Sequence, residues 1–453
     1  MLESILCGSI KSQVKFIIKM FSVSLCLCVS NGFIDRSHAA EPRSLTLDQA
    51  LSLAMEKNRD IEQAREYARS VQGKYIEERA AALPQIGLYG STALSKDQSQ
   101  QALMGTSQRQ ASTSLDVTLT QPLFTWGKLS AAIRAAEVGL KTADQQLRIY
   151  QQAARRDVAT AWHDILLAKE LHRLARENLS QKQRHQDEAG KKFAAGIATD
   201  YDVLAAEVAA ENARPEVIRT ANSINVVRER LRFLLASPEE IDACGSLERP
   251  SIDTSGTKDF AGALETARTK RPELADLRLR TGIYGELLTI AAAENKPRLD
   301  LKGGAGWRWL ALDDPGPKRE ADGAAWNVGL YLSFPFFDGL RTSGRVTQAR
   351  SDLHSKQIEE QKLLDSIALE LRTTGYALRE ADEMCQAVAG TVRQAEKLLK
   401  MAEQGYEFGV KIRLEVDDAQ LNLLQATSSL ARAERDYRVA AINYAWALGT
   451  LGE

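Results

Sequence analysis

The sequence lacks any long hydrophobic run. No stretch of its 453 residues approaches the roughly 18 uncharged apolar residues of a membrane-spanning helix, which excludes a helical membrane protein. It also lacks a surplus of one charge, since 59 basic residues stand against 60 acidic ones; a nucleic-acid partner is therefore not expected. Aromatic residues make up only 6%, which disfavours a β-rich sandwich. The 44% hydrophobic and 26% charged residues are typical of a folded globular chain.

Residues 1–39 have the pattern of a signal peptide. A basic flank precedes a short apolar core, Met20 to Val29, and small residues precede Ala40. The core is too short to cross a bilayer. The alternative is a buried N-terminal helix, but nothing in residues 30–46 would pack over it. We therefore expect an exported chain that begins near Ala40.

Cysteine is scarce, and three of the five cysteines lie in the predicted signal peptide. Cys244 and Cys385 remain, and the sequence is compatible with one disulfide in an oxidising compartment or with two thiols.

Enzymatic motifs are also missing. The four histidines after residue 39 lie on predicted helices, at the surface or at a helix seam, and none has metal-ligand spacing. These are His163, His172, His185 and His354. The glycines of 303–306 are not followed by the Lys-Ser/Thr of a phosphate loop, and no nucleophile elbow or HExxH is present. We expect no enzyme, and no catalytic, cofactor-binding or metal-binding residue.

An internal repeat runs through the chain with a constant offset of 213 residues. The pairs that show it are Pro84 and Pro297, Pro122 and Pro335, and Gly196 and Gly409. The first repeat covers 40–236 and the second 260–449. Between them, residues 237–259 form a polar linker rich in turn formers.

Each repeat begins with helices and continues with a strand pair. Thr46 and Gln49 form a capping box for a short helix to about Asn58, and a second helix runs to about Ala82. The periodicity then changes to two within the strand pairs 85–123 and 298–336. Each strand is about ten residues long, with one apolar and one polar face. Polar loops, 95–112 and 311–324, join the strands.

The alternation within the strands has two interpretations. In a soluble hairpin the aromatic residues would form the core, whereas in a membrane barrel they would face outward as girdle residues. Those residues include Trp126, Trp307, Trp309 and Trp326.

A helical hairpin follows each strand pair, over 127–236 and 340–449. The first long helix, 129–193, would measure about 98 Å and cannot be buried in one globular core. It must pack along its length against other helices, as in a coiled coil or helical barrel. Pro215 is expected to interrupt and kink the first return helix.

The strand count demands an oligomer if the apolar faces meet lipid. Four strands cannot close, and open sheet edges are not viable in a bilayer. Three chains would supply twelve strands, an even number within the range of outer-membrane barrels, with the polar faces lining a lumen. The expected fold is mainly α, with four strands and long coiled-coil helices per chain in two repeats, and a trimer that forms a membrane β-barrel.

The sequence resembles the TolC-like outer membrane efflux proteins of Gram-negative bacteria. The features that carry the resemblance are the duplicated proline-started strand, the strand end at 120–128, and two turns, Phe193-x-x-Gly196 and Tyr406-x-x-Gly409. Thr199 fits the residue type common three positions after the turn glycine, whereas Ile412 does not.

The resemblance implies a homotrimer in the outer membrane with a twelve-stranded barrel and a periplasmic helical tunnel. Its expected role is the exit duct of a tripartite efflux or type I secretion system. The expected partners are a periplasmic adaptor protein, an inner-membrane RND or ABC transporter, and the lipid bilayer. The alternative is a periplasmic coiled-coil adaptor or scaffold without a pore.

The functional residues are expected at the periplasmic tip, where the glycine turns, Gly196 and Gly409, reverse the chain. The resemblance matches Glu415 and Asp418 to carboxylates that line the closed tip; the alternative is an ordinary acidic helix start. It also matches three residues to a closing latch in which Lys411 would pair with Asp202. Those latch residues are Asp202, Tyr406 and Lys411.

Overall fold

The computed structural model describes residues 43–97, 108–245, 259–313 and 319–452. The predicted signal peptide, 1–39, and part of the predicted linker, 246–258, lie outside the described residues. All of the described residues belong to one of the two units into which the chain divides, Pro42–Glu453.

Helices and strands follow one another in the same order in both halves. The first half contains β1 (Arg43–Leu45), α1 (Leu47–Lys57), α2 (Arg59–Ala80), β2 (Gln85–Asp97), β3 (Gln108–Phe124), α3 (Lys128–Ala194) and α4 (Asp200–Leu234). After β4 (Ile241–Ala243), the second half contains α5 (Phe260–Lys270), α6 (Pro272–Ala292), β5 (Arg298–Asp313), β6 (Arg319–Ser333), α7 (Arg341–Glu407) and α8 (Arg413–Leu448). Each of the four second-half helices begins 213 residues after its counterpart, as α7 does after α3.

The first helix begins as predicted. The Thr46 hydroxyl accepts a hydrogen bond from the Gln49 backbone N–H at 3.4 Å, and the Gln49 side chain accepts one from the Thr46 N–H at 3.0 Å. This capping box satisfies two N–H groups that the helix itself cannot.

Two predictions about segment boundaries were wrong. The strands contain 13 to 17 residues rather than about ten, because polar residues of the predicted loops continue the ladder. Residues 109–113 of β3, for example, pair with both β2 and β5. In addition, α4 continues through Pro215 as one helix, because its buried residues on both sides of the proline, Ala213 and Thr220, hold it in place.

The four long strands form one antiparallel sheet in the order β2-β3-β5-β6. Its register places Val117 beside Leu88 and Ala305, so the apolar residues of neighbouring strands share one face. Backbone pairing also aligns the polar residues on the opposite face, where Thr120 pairs with Gln85 and Lys302. The predicted division into an apolar and a polar face is confirmed.

The apolar face of the sheet is exposed, contrary to the usual arrangement in a soluble protein. Leu94 is 80% exposed, Trp326 77% and Leu332 70%. On the polar face, by contrast, Asp300 is 7% exposed and accepts a hydrogen bond from Arg298 at 2.8 Å. No described part of the chain covers the apolar face, which favours the outward-facing interpretation over the soluble hairpin.

The long helices lie side by side as a layer in the order α4-α3-α8-α7. Nearer the sheet, α2 and α6 pack on α3, and α6 also packs on α7. Alanine at seven-residue intervals is buried along α3 and along α8, which lets the helices approach closely. These alanines are Ala154, Ala161, Ala168 and Ala175 in α3 and Ala419, Ala426 and Ala433 in α8. Within the described chain, no helix has the length and apolarity needed to cross a membrane.

The predicted polar linker contains a short buried strand, β4, which the sequence analysis did not predict. The three residues of β4 are buried and pair in parallel with β1. Asp242 in β4 forms ion pairs with Lys169 and Arg228, both at 2.8 Å. The pairing needs two short segments that are far apart in the sequence. No disulfide joins Cys244 and Cys385.

His163 is buried between helices, which corresponds to the seam position and not to the surface position of the two that the sequence allowed. It is 3% exposed on α3, its ring lies at 84° to that of Trp162, and its Nδ1 has no hydrogen-bond partner among the described residues. Burial, together with the positive charges of Arg438 and Arg435, lowers the pKa of His163 to about 4.

This burial predicts a loss of stability in acid. Because the pKa of His163 is about 4 in the folded chain and near 6.5 when unfolded, its contribution is complete above about pH 6.5 and falls as the pH drops toward 4. The loss approaches about 3 kcal/mol. His163→Gln should therefore show a smaller fall in unfolding midpoint between about pH 7 and pH 4.5. His354→Gln, at an exposed site, serves as the control; an equal acid shift in wild type and His163→Gln would contradict the prediction.

Candidate functional site at the helical tip

Two glycine turns form the end of the helical layer that lies away from the sheet. Gly196 follows α3 with φ +75°, and Gly409 follows α7 with φ +71°. The next N–H in each turn reaches back to an earlier carbonyl, from Ile197 to Lys192 at 2.9 Å and from Val410 to Gly405 at 2.8 Å. This hydrogen-bond pattern ends a helix where glycine tolerates the left-handed conformation.

Apolar side chains project from both turns. Ile197 is 78% exposed, Phe408 80% and Val410 82%. These three side chains lie on the two turns that end the hairpins. We call these three residues the tip cluster.

Asp202 caps the helix that leaves the first turn. Its carboxylate accepts hydrogen bonds from the Thr199 N–H at 2.9 Å and from the Thr199 hydroxyl at 2.8 Å. These bonds lower the pKa of Asp202. In the second turn Ile412 occupies the position of Thr199 and has no hydroxyl group. Glu415 occupies the position of Asp202, and its carboxylate accepts a hydrogen bond from the Ile412 N–H at 3.1 Å.

Lys411 forms an ion pair with Glu415, at 2.6 Å between Nζ and Oε1. This contact, followed by the Ile412 N–H, lowers the pKa of Glu415. Among the described residues no ion pair joins Lys411 to Asp202, so the two ends of the predicted latch have other partners within the chain.

Tyr406 connects the two helical hairpins. Its hydroxyl accepts a hydrogen bond from Lys192 at 3.1 Å, and the Lys192 and Arg413 cations lie 5.1 and 5.6 Å from its ring centroid. Asp418, the second predicted gate carboxylate, is exposed, with no ion pair among the described residues. Glu415 and Asp418 therefore differ: the charge of Glu415 is balanced, whereas that of Asp418 is not.

Several residues at this tip were not predicted. Asp417 lies 3.4 Å from both Lys182 on α3 and Arg413 on α8, and the Gln420 amide lies 3.3 Å from the His185 ring. The spacing of Arg413 and Asp417, four apart, was a readable signal of a helical ion pair. The contacts from α3 to α8 depend on how the two hairpins rotate against each other, which periodicity does not determine.

A cavity of about 390 Å³ lies at this tip, and Lys182, His185, Arg413 and Asp417 are among the residues that line it. Asp202 and Tyr406 both line it, so the structure brings two of the three latch residues to one place. Three cations and three carboxylates contribute to its lining: Lys182, Lys192 and Arg413 with Glu188, Asp202 and Asp417. Within the described ranges, no group of three or more His, Cys, Asp or Glu residues is arranged to hold a metal ion. Such a tip can bind partner surfaces and shape an ion path.

The model of one protein family, described as "Outer membrane efflux protein", matches the chain twice. The matches cover residues 50–237 and 263–450 and are displaced by the same 213 residues as the repeat.

Relatives and solved structures agree with the family match. The chain is 23% identical to the outer membrane protein TolC of Vibrio cholerae, over 83% of this chain and 84% of that protein. It is 26% identical to the cobalt-zinc-cadmium resistance protein CzcC of Cupriavidus metallidurans, over 84% of each. Its fold matches that of a membrane protein from Pseudomonas aeruginosa, with a TM-score of 0.77, 20% identity and coverage of 89% and 92%. VceC of Vibrio cholerae gives a TM-score of 0.73, with 20% identity and coverage of 89% and 96%.

The duplicated strand pairs, the paired helical hairpins and the family match over most of both repeats lead to one conclusion. The chain is an outer membrane protein and belongs to the outer membrane efflux protein family.

Proposed function

We propose that the chain forms the outer-membrane channel of a tripartite efflux or type I secretion system. Three copies form one tube that conducts solutes or proteins passively. An inner-membrane RND or ABC transporter delivers them, and a periplasmic adaptor joins the transporter to the channel. The observation that carries the proposal is the exposed apolar face of the sheet, together with the two uncovered edges of each chain.

The sheet supports closure with identical copies. Strands β2 and β6 each have one neighbour, so each chain presents two open edges. Backbone N–H and C=O groups at such edges must find partners in a bilayer. Three copies would pair these edges into twelve strands, with the apolar faces toward lipid and the polar faces toward the lumen.

The helical layer has matching open edges. Its outer helices, α4 and α7, each expose a stripe of large apolar residues. The stripe on α4 contains Tyr201, Leu204, Val208, Ile218, Val226 and Phe233, and that on α7 contains Ile358, Leu369, Tyr376, Met384, Leu398 and Met401.

Five residues of each stripe have the same spacing in opposite directions. When α4 runs antiparallel to α7 with Tyr201 opposite Met401, four further apolar residues of α4 each face an apolar residue of α7, whereas Val208 faces Gln394. The further pairs are Leu204 with Leu398, Ile218 with Met384, Val226 with Tyr376, and Phe233 with Leu369. Both stripes start beside the tip turns, so the pairing keeps the tips level. This complementarity between opposite edges is what a ring of identical chains requires.

The scaffold alternative receives no comparable support. A pore-free periplasmic protein would keep the strongly exposed apolar sheet face in water, where a patch of this kind promotes association.

The proposed subunit seam predicts a specific cross-link. In a Cys244→Ser/Cys385→Ser background, Ile218→Cys with Met384→Cys should form covalent dimers and trimers on oxidation in outer-membrane fractions, because the pair faces across the seam. The matched control, Ile218→Cys with Leu398→Cys, is out of register by about 21 Å along the helix and should not form them. The absence of cross-links in the first pair, or equal yields in both, would contradict the proposed assembly.

The adaptor is proposed to bind the tip cluster. Ile197→Glu and Val410→Glu should abolish export, because a charge would have to be buried against the adaptor. Trimers should still reach the outer membrane, since both side chains are exposed in the chain. Ile197→Leu and Val410→Leu keep apolar surfaces and should keep export. Full export by both glutamate variants would rule out this docking surface.

The gate is proposed to use Glu415 and Asp418 as rings of carboxylates that attract cations. Because Lys411 balances Glu415, the exposed Asp418 should dominate. Asp418→Asn should weaken block of single channels by a trivalent cation more than Glu415→Gln does. Unchanged block in both variants would remove the filter.

We propose that the latch forms when Lys411 leaves Glu415 and Asp202 leaves Thr199, so that Lys411 and Asp202 can pair. Tyr406 already shares the tip cavity with Asp202, and an exposed ion pair such as Lys411–Glu415 contributes only about 0–1 kcal/mol, so exchange is easy. In the same recordings, Asp202→Ala and Lys411→Ala should raise conductance; no increase would remove the latch.

A further inference from the structure

His185 lies where the first helical hairpin contacts the second. It is on α3, near the tip, and its side chain is 19% exposed. Its Nε2 lies 3.3 Å from the side-chain amide nitrogen of Gln420 on α8. Gln420 is itself buried. The pair therefore forms a packed contact between the hairpins.

The surroundings of this ring favour its neutral form. An amide N–H can donate to Nε2 only when that nitrogen carries no proton, as in the neutral imidazole. Nδ1 has no hydrogen-bond partner among the described residues, and the nearest carboxylate, that of Glu188, is 3.7 Å away. Burial first, and then the Arg413 charge, lower the pKa of His185, while Glu188 and Asp417 act in the opposite direction.

The charges that line the cavity are balanced when the ring is neutral, and Glu188 is the carboxylate nearest to the ring. On α3, Lys182 and Glu188 face the cavity, while α8 contributes Arg413 and Asp417. Asp417 already contacts both Lys182 and Arg413. The remaining charged and titratable side chains of the lining are Lys192, Asp202 and Tyr406. With three cations and three carboxylates in the lining, protonation of His185 gives the cavity a net positive charge.

Two other polar contacts join the hairpins at this cavity. Lys182 with Asp417 is an ion pair, and Lys192 donates to the Tyr406 hydroxyl. Among the residues of this cavity, the imidazole is the group whose ordinary pKa lies between pH 5 and 8.

We propose that His185 is a proton-sensitive contact that holds the tip closed when neutral and favours opening when protonated. The proposal rests on the channel function proposed above and adds its regulation. When α3 and α8 separate, the ring regains water and its preference for the neutral form disappears. The closing contribution is therefore complete above about pH 6.5 and is lost as the pH falls below that value.

Single-channel recording in planar bilayers tests the proposal with the full chain. Between about pH 7.5 and pH 5.5, a window that contains the ordinary histidine titration, open probability of the wild type should rise severalfold. His185→Gln, which stays neutral, should abolish this rise. His172→Gln changes another histidine of α3, which contacts Thr220, and should retain it.

A second variant keeps the test informative if glutamine alters packing. His185→Lys carries a permanent charge and should give high open probability at both pH values, with trimers and helical content unchanged. The proposal is overturned if His185→Gln channels respond to acid as the wild type does, or if wild-type channels show no response. If neither the wild type nor any of the variants forms channels, that result instead counts against the proposed function.

Discussion

The apolar face of the sheet is the constraint on which the rest of the structure depends. Its large apolar side chains are exposed within the described chain, so the described chain does not bury them by itself. Contact with lipid removes the cost of exposing these apolar side chains to water. The strand edges must then also be paired, because an unpaired peptide group in hydrocarbon costs several kcal/mol. A chain with four strands and two open edges satisfies both conditions by sharing a closed sheet with copies of itself.

The helices follow from the same constraint. Each hairpin continues from a strand pair, so a closed sheet places the hairpins side by side in a closed wall. Small residues at heptad spacing in α3 and α8 let neighbouring helices pack without a thick core. Larger apolar residues are buried in separate clusters along the helices, such as that of Trp162 and Ile165 on α3. Others are exposed at the outer edges, on α4 and α7, where a neighbouring copy would cover them.

Much of this architecture was readable from the sequence because it is periodic. The 213-residue offset, the faces of the strands and the capping box at Thr46 were each predicted from local patterns. The ends of the strands were not predicted correctly. Near the loops the strand residues are mostly polar on both faces, so the alternation of apolar and polar residues that marks a strand is absent there. The buried strand β4 was missed because a three-residue segment has no periodicity and is stabilised by a distant partner.

At the tip, sequence reasoning found the turns but not the contacts. Gly196 and Gly409 follow from backbone geometry at a helix end, which is local. Lys411 could pair with Glu415, four residues away, or with the distant Asp202, and within the chain it pairs with Glu415. The position of His185 in the sequence did not indicate its contact, because the contacting side chain, that of Gln420, belongs to the other hairpin.

The central claim, that one chain is an incomplete part of a tube, is tested most directly by its mass in solution and in membranes. Native mass spectrometry of the protein released from nanodiscs should give three copies per particle and no stable smaller species. A monodisperse monomer that stays in solution without detergent and keeps an ordered sheet would contradict the account.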